Sequence, residues 1–199
     1  MWSFTRVLFF TVAVRLVGAQ TCVVKETPDD MLGPFYIKGA NFTRRLAPTA
    51  VLSNPARRIR IKGTVYGDNC VPMKGALVEA WHAGPPDAKG NLYSVAGSDL
   101  RYRGRITSGA CGKYEFTTIY PALYPSRPIR HIHIRVSNGN TLLLVTQMYF
   151  RGAIPAGFNP DAGQIVRLTR QTDGSRAGTF DIYVGAKGTG NAATCAALR

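Results

Sequence analysis

The sequence contains little histidine and little negative charge. Three of its 199 residues are His, and its 11 Asp and Glu residues stand against 25 Lys and Arg. None of its four cysteines lies in a Cys-x-x-Cys pair, so a zinc site made of cysteine thiolates is not expected. Long helical periodicity is absent, and no uninterrupted apolar stretch is long enough to span a bilayer. These absences exclude cysteine-based zinc modules, helical bundles and membrane-spanning helices.

The excess of basic residues does not by itself indicate a partner. A formal net charge of +14 attracts nucleic acid, anionic polymers or acidic small molecules. The basic residues are scattered, form no helical stripe and accompany no nucleic-acid-binding motif, so we expect no nucleic-acid partner. The 45% of hydrophobic residues predicts one globular domain with a substantial core.

The first 19 residues differ from the rest. The segment "MWSFTRVLFFTVAVRLVGA" has an early arginine, an apolar run interrupted at Arg15, and small residues at its end. This pattern predicts a secretory signal peptide over 1–19, cleaved before Gln20. We therefore expect a secreted, extracellular protein with no membrane attachment after cleavage. A possible glycosylation sequon at Asn41 agrees with secretion.

The cysteines lie in the predicted mature chain. An even number in a secreted protein suggests two disulfides, for which three connectivities exist. Placement along the chain favours one pair between two predicted turns and one pair near the two termini. The predicted pairs are Cys70 with Cys111 and Cys22 with Cys195.

Short alternating or β-branched runs dominate the sequence after residue 58. They are separated by Gly, Asn, Asp and Pro, which is typical of many short strands joined by turns. The fold class predicted is an all-β antiparallel β-sandwich over 59–185. Residues 20–58 are expected to form an extended N-terminal arm, with a short helix near "TPDDML", and 186–199 a C-terminal tail. The strand candidates are "RIRIKGTVY", "ALVEAWHA", "GRITS", "KYEFTTI", "HIHIRVS", "TLLLVTQMYF", "QIVRLTRQ" and "GTFDIYVG".

Two of the three histidines lie one residue apart in a predicted strand. Because side chains alternate along a strand, His131 and His133 face the same side, about 7 Å apart along the backbone. Ile132 and Ile134 face the opposite side, toward the expected core. Two imidazoles in this arrangement are able to bind one metal ion. They are equally compatible with two histidines that have no ligand role.

The remaining ligands of such a metal are not obvious. No Asp or Glu occurs between Glu115 and Asp161, so a two-histidine, one-carboxylate iron site would need a distant carboxylate. His82 follows Trp81 in a predicted strand and offers a third nitrogen for zinc or copper. The region also offers tyrosines, whose phenolates are hard oxygen donors with a free pKa near 10. A trivalent cation favours this ionised form.

Several sequence blocks in order resemble the intradiol ring-cleavage dioxygenases, a family that uses non-heme Fe(III). The resemblance covers most of residues 27–150, and its most specific part is the set Tyr, then Tyr-Pro, then His-x-His. The matching blocks are "TPDDMLGPFY", "GTVYGDNCVPMKGALVEAWHA", "GNLYS", "YRGRITSGACGKYEFTTIYPALYP", "RPIRHIHIRV" and "LVTQMYF".

The resemblance implies a function and a set of site residues. Tyr93 resembles the equatorial and Tyr124 the axial tyrosine ligand of Fe(III), while His131 and His133 resemble the equatorial and axial histidines. The implied reaction is cleavage of small catechols by O2 to products of the cis,cis-muconate type. The preferred catechol and the oligomeric state do not follow from the resemblance.

Three further residues are candidates for substrate contact. The family has an arginine that balances negative charge on the bound catechol, normally followed by Pro and one residue before His-x-His. This chain is one residue longer there, so Arg127, which keeps its proline, is favoured over Arg130. Gln147 resembles a family residue near the substrate.

Two other interpretations stay open from the residues alone. One is a non-catalytic β-sandwich binding module, because the hairpin patterns also occur in such modules. The other is a zinc or copper enzyme that uses His82 together with His131 and His133. Neither interpretation gives a role to Tyr93 and Tyr124.

Overall fold

The computed structural model describes residues 25–93 and 100–185, together with Cys195. The predicted signal peptide, Cys22 and the rest of the C-terminal tail lie outside the described residues. Among the described residues, no helix has the length and apolarity needed to cross a bilayer.

Within the described residues, ten strands form nearly all of the regular structure. One short α-helix, α1, spans Thr49–Leu52, and single 3-10 turns lie at Pro55–Arg57, Asp68–Cys70 and Ala162–Gln164. The strands are β1 Arg58–Tyr66, β2 Leu77–Trp81, β3 Arg103–Thr107, β4 Lys113–Ile119, β5 His131–Asn138, β6 Thr141–Phe150, β7 Ile165–Val166, β8 Thr169–Arg170, β9 Arg176–Thr179 and β10 Ile182–Tyr183.

The strands form two sheets that enclose one apolar layer. The first sheet is built around β1, which pairs with β4 on one side and with β9 and β10 on the other, and β8 pairs with β9. The second sheet has the order β3-β2-β5-β6-β7. Alternating residues of both sheets, including Ile59, Phe116, Ile132 and Met148, are fully buried between them. The β-sandwich prediction is therefore confirmed.

The sheets are mixed rather than purely antiparallel. Strand β2 runs antiparallel to β5, β5 runs antiparallel to β6, and β1 runs antiparallel to β4. However, β1 runs parallel to β9 and to β10, and β6 runs parallel to β7. Long connections return these later strands to the sheets in the same direction as their partners, which the local strand patterns could not reveal.

The N-terminal arm lies across the second sheet without forming the predicted helix near "TPDDML". Its backbone is used in tertiary hydrogen bonds instead. Thr27 N donates to Tyr183 O, and Asp30 N donates to Val145 O. The Pro28 carbonyl accepts a hydrogen bond from the Thr146 hydroxyl. A helix would withdraw these groups from the sheet, so the extended conformation is favoured.

The predicted disulfide pairing is wrong. Cys111 bonds to Cys195, with 5.4 Å between their Cα atoms, which ties the turn before β4 to the C-terminal region. Cys70 is also disulfide-bonded. Placement in turns did not indicate the partner, because pairing depends on the distance between Cβ atoms in the folded chain.

Candidate metal centre

The candidate centre lies on the outer face of the second sheet, beneath the arm. Side-chain alternation along β5 places Ile132 and Ile134 in the core and His131 and His133 on the opposite face, as predicted. Both histidines are nevertheless only 2% exposed, because the arm covers them. Gly33 has a φ of +74°, and a Cβ atom there would lie 2.9 Å from Cε1 of His133. A glycine therefore allows the arm to approach this histidine closely.

Three of the four predicted ligand atoms converge on a small volume. The Nε2 atoms of His131 and His133 lie 3.2 Å apart. The hydroxyl oxygen of Tyr124 is also 3.2 Å from Nε2 of His131. Two donors bound at right angles to one ion, with bonds of about 2.1 Å, lie about 3 Å apart. These spacings therefore fit donors that share one metal ion.

Tyr93 brings the fourth donor to the same place. Its ring centroid lies 5.6 Å from that of Tyr124, and the two rings are nearly perpendicular, at 82°. Its hydroxyl group is buried and has no hydrogen bond of normal geometry among the described residues. Buried hydroxyl groups are normally paired, so an unpaired one beside Tyr124 and two histidines fits a metal ligand.

The hydrogen bonds of His131 determine which ring nitrogen is free. Nδ1 of His131 lies 2.7 Å from the carbonyl oxygen of Ile129, so Nδ1 carries the proton and donates it. Nε2 then has a lone pair that points into the centre, which is the usual arrangement of a ligating histidine. Nδ1 of His133 is buried near the Met31 backbone but outside normal hydrogen-bond geometry.

Burial controls the protonation of all four side chains. Loss of hydration lowers the pKa of His131 to about 4 and that of His133 to about 3. Both imidazoles are therefore neutral near pH 7 and available as ligands. Burial also raises the pKa values of the Tyr93 and Tyr124 hydroxyl groups. Their deprotonation accordingly requires a strong positive charge in the centre.

Aromatic rings hold the candidate ligands in place. Trp81, which pairs with His133 across β2 and β5, stacks on that imidazole at 5.0 Å with 3° between the planes. Phe35 from the arm stacks on Tyr93 at 4.2 Å with 14° between the planes. The sequence analysis assigned no role to Trp81 and Phe35. Strand register across β2 and β5 is needed to bring Trp81 to His133, and a single sequence does not show it.

The two candidate arginines lie in different places. Nη2 of Arg127 donates to Oε1 of Gln147 at 2.8 Å, and Gln147 lies opposite His133 across β5 and β6. Arg127 therefore borders the centre together with Gln147. Arg130 turns away, donates to the carbonyl of Pro121 and lies over the ring of Tyr120. The alternative assignment of Arg130 to the site does not agree with this position.

A partly buried network connects Arg127 to the arm. The Tyr149 hydroxyl donates to Oδ2 of Asp30 at 2.7 Å and accepts from Nη2 of Arg127 at 2.7 Å. Gln147 donates through Nε2 to the Met31 carbonyl at 2.9 Å. Sequence reasoning missed Asp30 and Tyr149. Alternation along β6 puts Tyr149 on the same face as Gln147, which was a usable signal, whereas Asp30 reaches the site only through the path of the arm.

His82 does not belong to the centre. Its Nδ1 lies 2.8 Å from the Ala83 carbonyl, and its Nε2 lies 2.6 Å from the Thr118 hydroxyl. Both nitrogens are thus occupied by the protein. Within 25–93 and 100–185, no group of three or more His, Cys, Asp or Glu side chains is arranged to hold a metal ion. The zinc or copper alternative on His82, His131 and His133 is therefore wrong.

Comparison with known proteins finds relatives over most of the chain. The family model described as Dioxygenase matches residues 31–171. Catechol 1,2-dioxygenase 1 of Acinetobacter lwoffii is 34% identical over 151 residues, which cover 63% of this chain and 47% of that protein. The 6-chlorohydroxyquinol 1,2-dioxygenase of Cupriavidus pinatubonensis is 30% identical over 200 residues, which cover 87% of this chain and 68% of that protein.

A solved structure shares the fold over most of the chain. It is the dioxygenase domain of a dioxygenase carbohydrate-binding protein fusion from Streptomyces sp. SirexAA-E. The match has a TM-score of 0.69 and 30% identity, and it covers 82% of this chain and 100% of that domain. The chain spans about half the length of the catechol and chlorocatechol 1,2-dioxygenases that it matches. From its sequence and its fold, the chain belongs to the intradiol ring-cleavage dioxygenase family.

Proposed function

We propose that the protein is a secreted non-heme Fe(III) intradiol dioxygenase. Its substrates are small catechols and O2, and its products are of the cis,cis-muconate type. The observation that carries this proposal is the convergence of two tyrosines and two histidines, with Tyr124 and both imidazoles within 3.2 Å of a neighbouring donor. A non-catalytic binding module gives no reason for these four side chains to meet beneath the arm.

The four side chains would hold the iron in different ways. Tyr93 is 5% exposed and clamped by Phe35, so it suits a permanent ligand. Tyr124 is only half-buried, in the loop before β5, so it has room to move aside when a substrate binds. Fe(III) held between these residues would supply Lewis-acid chemistry toward a catechol.

Proton transfer is assigned to Tyr124. A catechol must lose its hydroxyl protons as it binds, and the nearby Asp30 carboxylate is already engaged by Tyr149 and Arg127. Both histidines are neutral and their pKa values are low because of burial, so they are poor proton acceptors. The phenolate oxygen of Tyr124 would be able to take a substrate proton as a general base.

Arg127 supplies positive charge at the edge of the centre. Its guanidinium group is fixed by the side chains of Gln147 and Tyr149, at 2.8 and 2.7 Å. A cation held in this way stabilises negative charge that develops on the substrate during reaction, as in an oxyanion hole. The neighbouring His131 and His133 are only 2% exposed, and low access of water strengthens electrostatic interactions of this kind.

Secretion is proposed from the signal-like pattern of residues 1–19. The disulfide between Cys111 and Cys195 supports it, because stable disulfides are typical of oxidising compartments outside the cytosol.

The proposed function is tested by oxygen uptake of the iron-loaded protein with catechol, hydroxyquinol, protocatechuate and caffeate. We expect consumption of O2 with at least one of these diols and formation of a ring-opened diacid, detected by its ultraviolet absorbance and mass. Hydroquinone, in which the two hydroxyl groups are not adjacent, is the control and should not react. Absence of turnover with all four diols at full iron occupancy would overturn the proposal.

A further inference from the structure

A cavity with an unusual charge distribution lies at one end of the sandwich. Its volume is about 520 Å³, within the range of about 300–1,000 Å³ that is usual for small-molecule sites. It forms where the ends of β4, β6 and β7 meet the start of β9. Its lining residues are Tyr120, Phe150, Arg151, Arg167, Leu168 and Arg176.

The floor of the cavity is apolar and aromatic. The rings of Tyr120 and Phe150 lie 4.9 Å apart with 54° between their planes. Phe150 is buried in the sandwich core, and Leu168 and Tyr120 are partly buried against it. The floor therefore offers ring faces and a leucine side chain to a ligand, rather than hydrogen-bonding groups alone.

The rim of the cavity is cationic and uncompensated. Arg151, Arg167 and Arg176 are exposed, and no acidic side chain lines the cavity. Within the described residues, none of the three guanidinium groups forms an ion pair or a side-chain hydrogen bond. A fourth guanidinium, that of Arg130, lies 5.1 Å from the centre of the Tyr120 ring. Like charges that face one cavity repel each other and favour an anion between them.

Another cavity provides the contrast. It is similar in volume, about 410 Å³, and it is also lined by three arginines, Arg45, Arg58 and Arg60. There, however, Arg58 pairs with Asp173 at 2.6 Å and Arg60 approaches Glu115 at 3.9 Å. Arginines on this protein are therefore not left unpaired in every cavity, and the end cavity is distinguished by its lack of carboxylates.

We propose that the end cavity binds an aromatic carboxylate. The planar fork of an arginine matches a carboxylate through two parallel hydrogen bonds, and the exposed side chains of Arg151 and Arg167 line the cavity. The aromatic ring of the ligand packs on Tyr120 and Leu168. An inorganic anion would leave the apolar floor and most of the volume unused. This site is separate from the metal centre, and its occupation does not depend on the proposed dioxygenase activity.

The test uses metal-free full-length protein and benzoate as the probe, followed by NMR. We expect saturable shifts of the amide signals of Arg151, Arg167 and Leu168, with a Kd of roughly millimolar order at low salt. Benzamide, which has the same shape without the charge, should bind at least about tenfold more weakly, because a charged hydrogen bond is worth roughly 1.5–3 kcal/mol. Inorganic phosphate should also bind more weakly than benzoate.

Matched variants locate the binding. The double variant Arg151→Gln/Arg167→Gln should weaken benzoate binding at least about tenfold. The control variant Arg45→Gln/Arg60→Gln removes the same charge at the other cavity and should leave the Kd within about twofold. Arg127→Gln, which alters the metal centre, should also leave it unchanged.

Four results would overturn the proposal, three of which concern the probes and the double variants. These are equal binding of benzoate and benzamide, phosphate binding as tight as that of benzoate, or equal weakening in the two double variants. A loss of binding in Arg127→Gln alone would assign benzoate to the metal centre and would likewise contradict the proposal.

Discussion

His82 and His131 show what separates a structural histidine from a candidate ligand in this fold. Both are almost fully buried, and burial lowers the pKa of each to about 4. His82 uses both ring nitrogens within the protein, on the Ala83 carbonyl and the Thr118 hydroxyl. His131 uses only Nδ1 in this way, and its Nε2 faces His133 and Tyr124. The two histidines therefore differ in the partners of Nε2 rather than in burial or pKa, because only Nε2 of His131 faces other candidate ligands.

The largest expected effect comes from exchanging each of these histidines for glutamine. His131→Gln should lower the affinity for Fe(III) by at least about a hundredfold, because it removes a metal ligand. Replacing a residue that only hydrogen-bonds to a metal ligand already lowers metal affinity by about 10–100-fold. His82→Gln should keep iron affinity within about threefold of the parent protein. Iron content after dialysis against a graded chelator series measures both. Equal losses in the two variants would remove the distinction between the histidines.

Substitution of the two tyrosines should have different effects, one on iron binding and the other on turnover. Tyr93→Phe should mainly weaken iron binding, because Tyr93 is buried and clamped by Phe35. Tyr124→Phe should keep most of the iron and slow turnover about a hundredfold, through loss of a general base. Single-turnover kinetics with catechol, normalised to iron content, make the measurement. An unchanged rate in Tyr124→Phe would contradict the role given to that side chain.

Arg127 and Arg130 allow a similar comparison of catalytic efficiency. Arg127→Gln should reduce kcat/KM by about 10–100-fold, since it removes a fixed positive charge beside the centre. Arg130→Gln should stay within about twofold, because Arg130 lies against Pro121 and Tyr120. Steady-state kinetics at equal iron loading measure both variants. A larger loss in Arg130→Gln would mean that the loop before β5 rearranges when substrate binds.

Asp30 is expected to act through its neighbours. Asp30→Asn keeps the size of the side chain but removes the charge that Tyr149 and Arg127 face, at 2.7 and 3.7 Å. We expect kcat to fall about three- to tenfold with little change in KM, since Asp30 positions the network around Arg127 rather than contacting substrate. Asp29→Asn, one residue earlier in the arm, is the control. The assignment fails if both variants behave alike.

The smallest effect is on the pH dependence of stability. The pKa of His82 is about 4 in the folded protein because burial disfavours its charged form, against about 6.5 in the unfolded chain. The unfolded state therefore takes up a proton first, and the contribution of His82 is complete above pH 6.5 and falls between about pH 6.5 and pH 4. Between about pH 7 and about pH 5, the free energy of unfolding of the metal-free protein should fall by about 2 kcal/mol more than that of the His82→Gln variant.

Urea unfolding of the two proteins at both pH values measures that difference. The comparison with His82→Gln is needed because His131 and His133 also have lowered pKa values and contribute in both proteins. Identical pH dependence of the two proteins would show that His82 is not held neutral by its burial.

Much of the fold was predictable where a local pattern decides the structure. The alternating runs "RIRIKGTVY", "KYEFTTI" and "TLLLVTQMYF" match β1, β4 and β6 residue for residue. The period of two also placed His131 and His133 on one face. What the sequence could not supply depends on distant partners, such as the pairing of Cys111 with Cys195 and the parallel return of β9 and β10.

Some residues of the candidate site were likewise predictable from the sequence, and others were not. Its four proposed ligands came from a resemblance in residue order, and the fold brings their side chains together. The surrounding contacts with Trp81, Phe35 and Asp30 arise from strand register and from the path of the arm, which hydrogen-bonds to β6 instead of forming a helix. No local sequence pattern specifies that path.

The most direct test of the account is a titration of the metal-free protein with Fe(III), followed by visible absorbance. We expect a saturable, broad visible band from phenolate-to-iron charge transfer, a wine-red or brown protein, and a shift of the band when catechol is added. The band should weaken in Tyr93→Phe and in Tyr124→Phe and persist in His82→Gln. An iron-replete protein without colour, or a band that neither tyrosine variant changes, would contradict a centre made of Tyr93, Tyr124, His131 and His133.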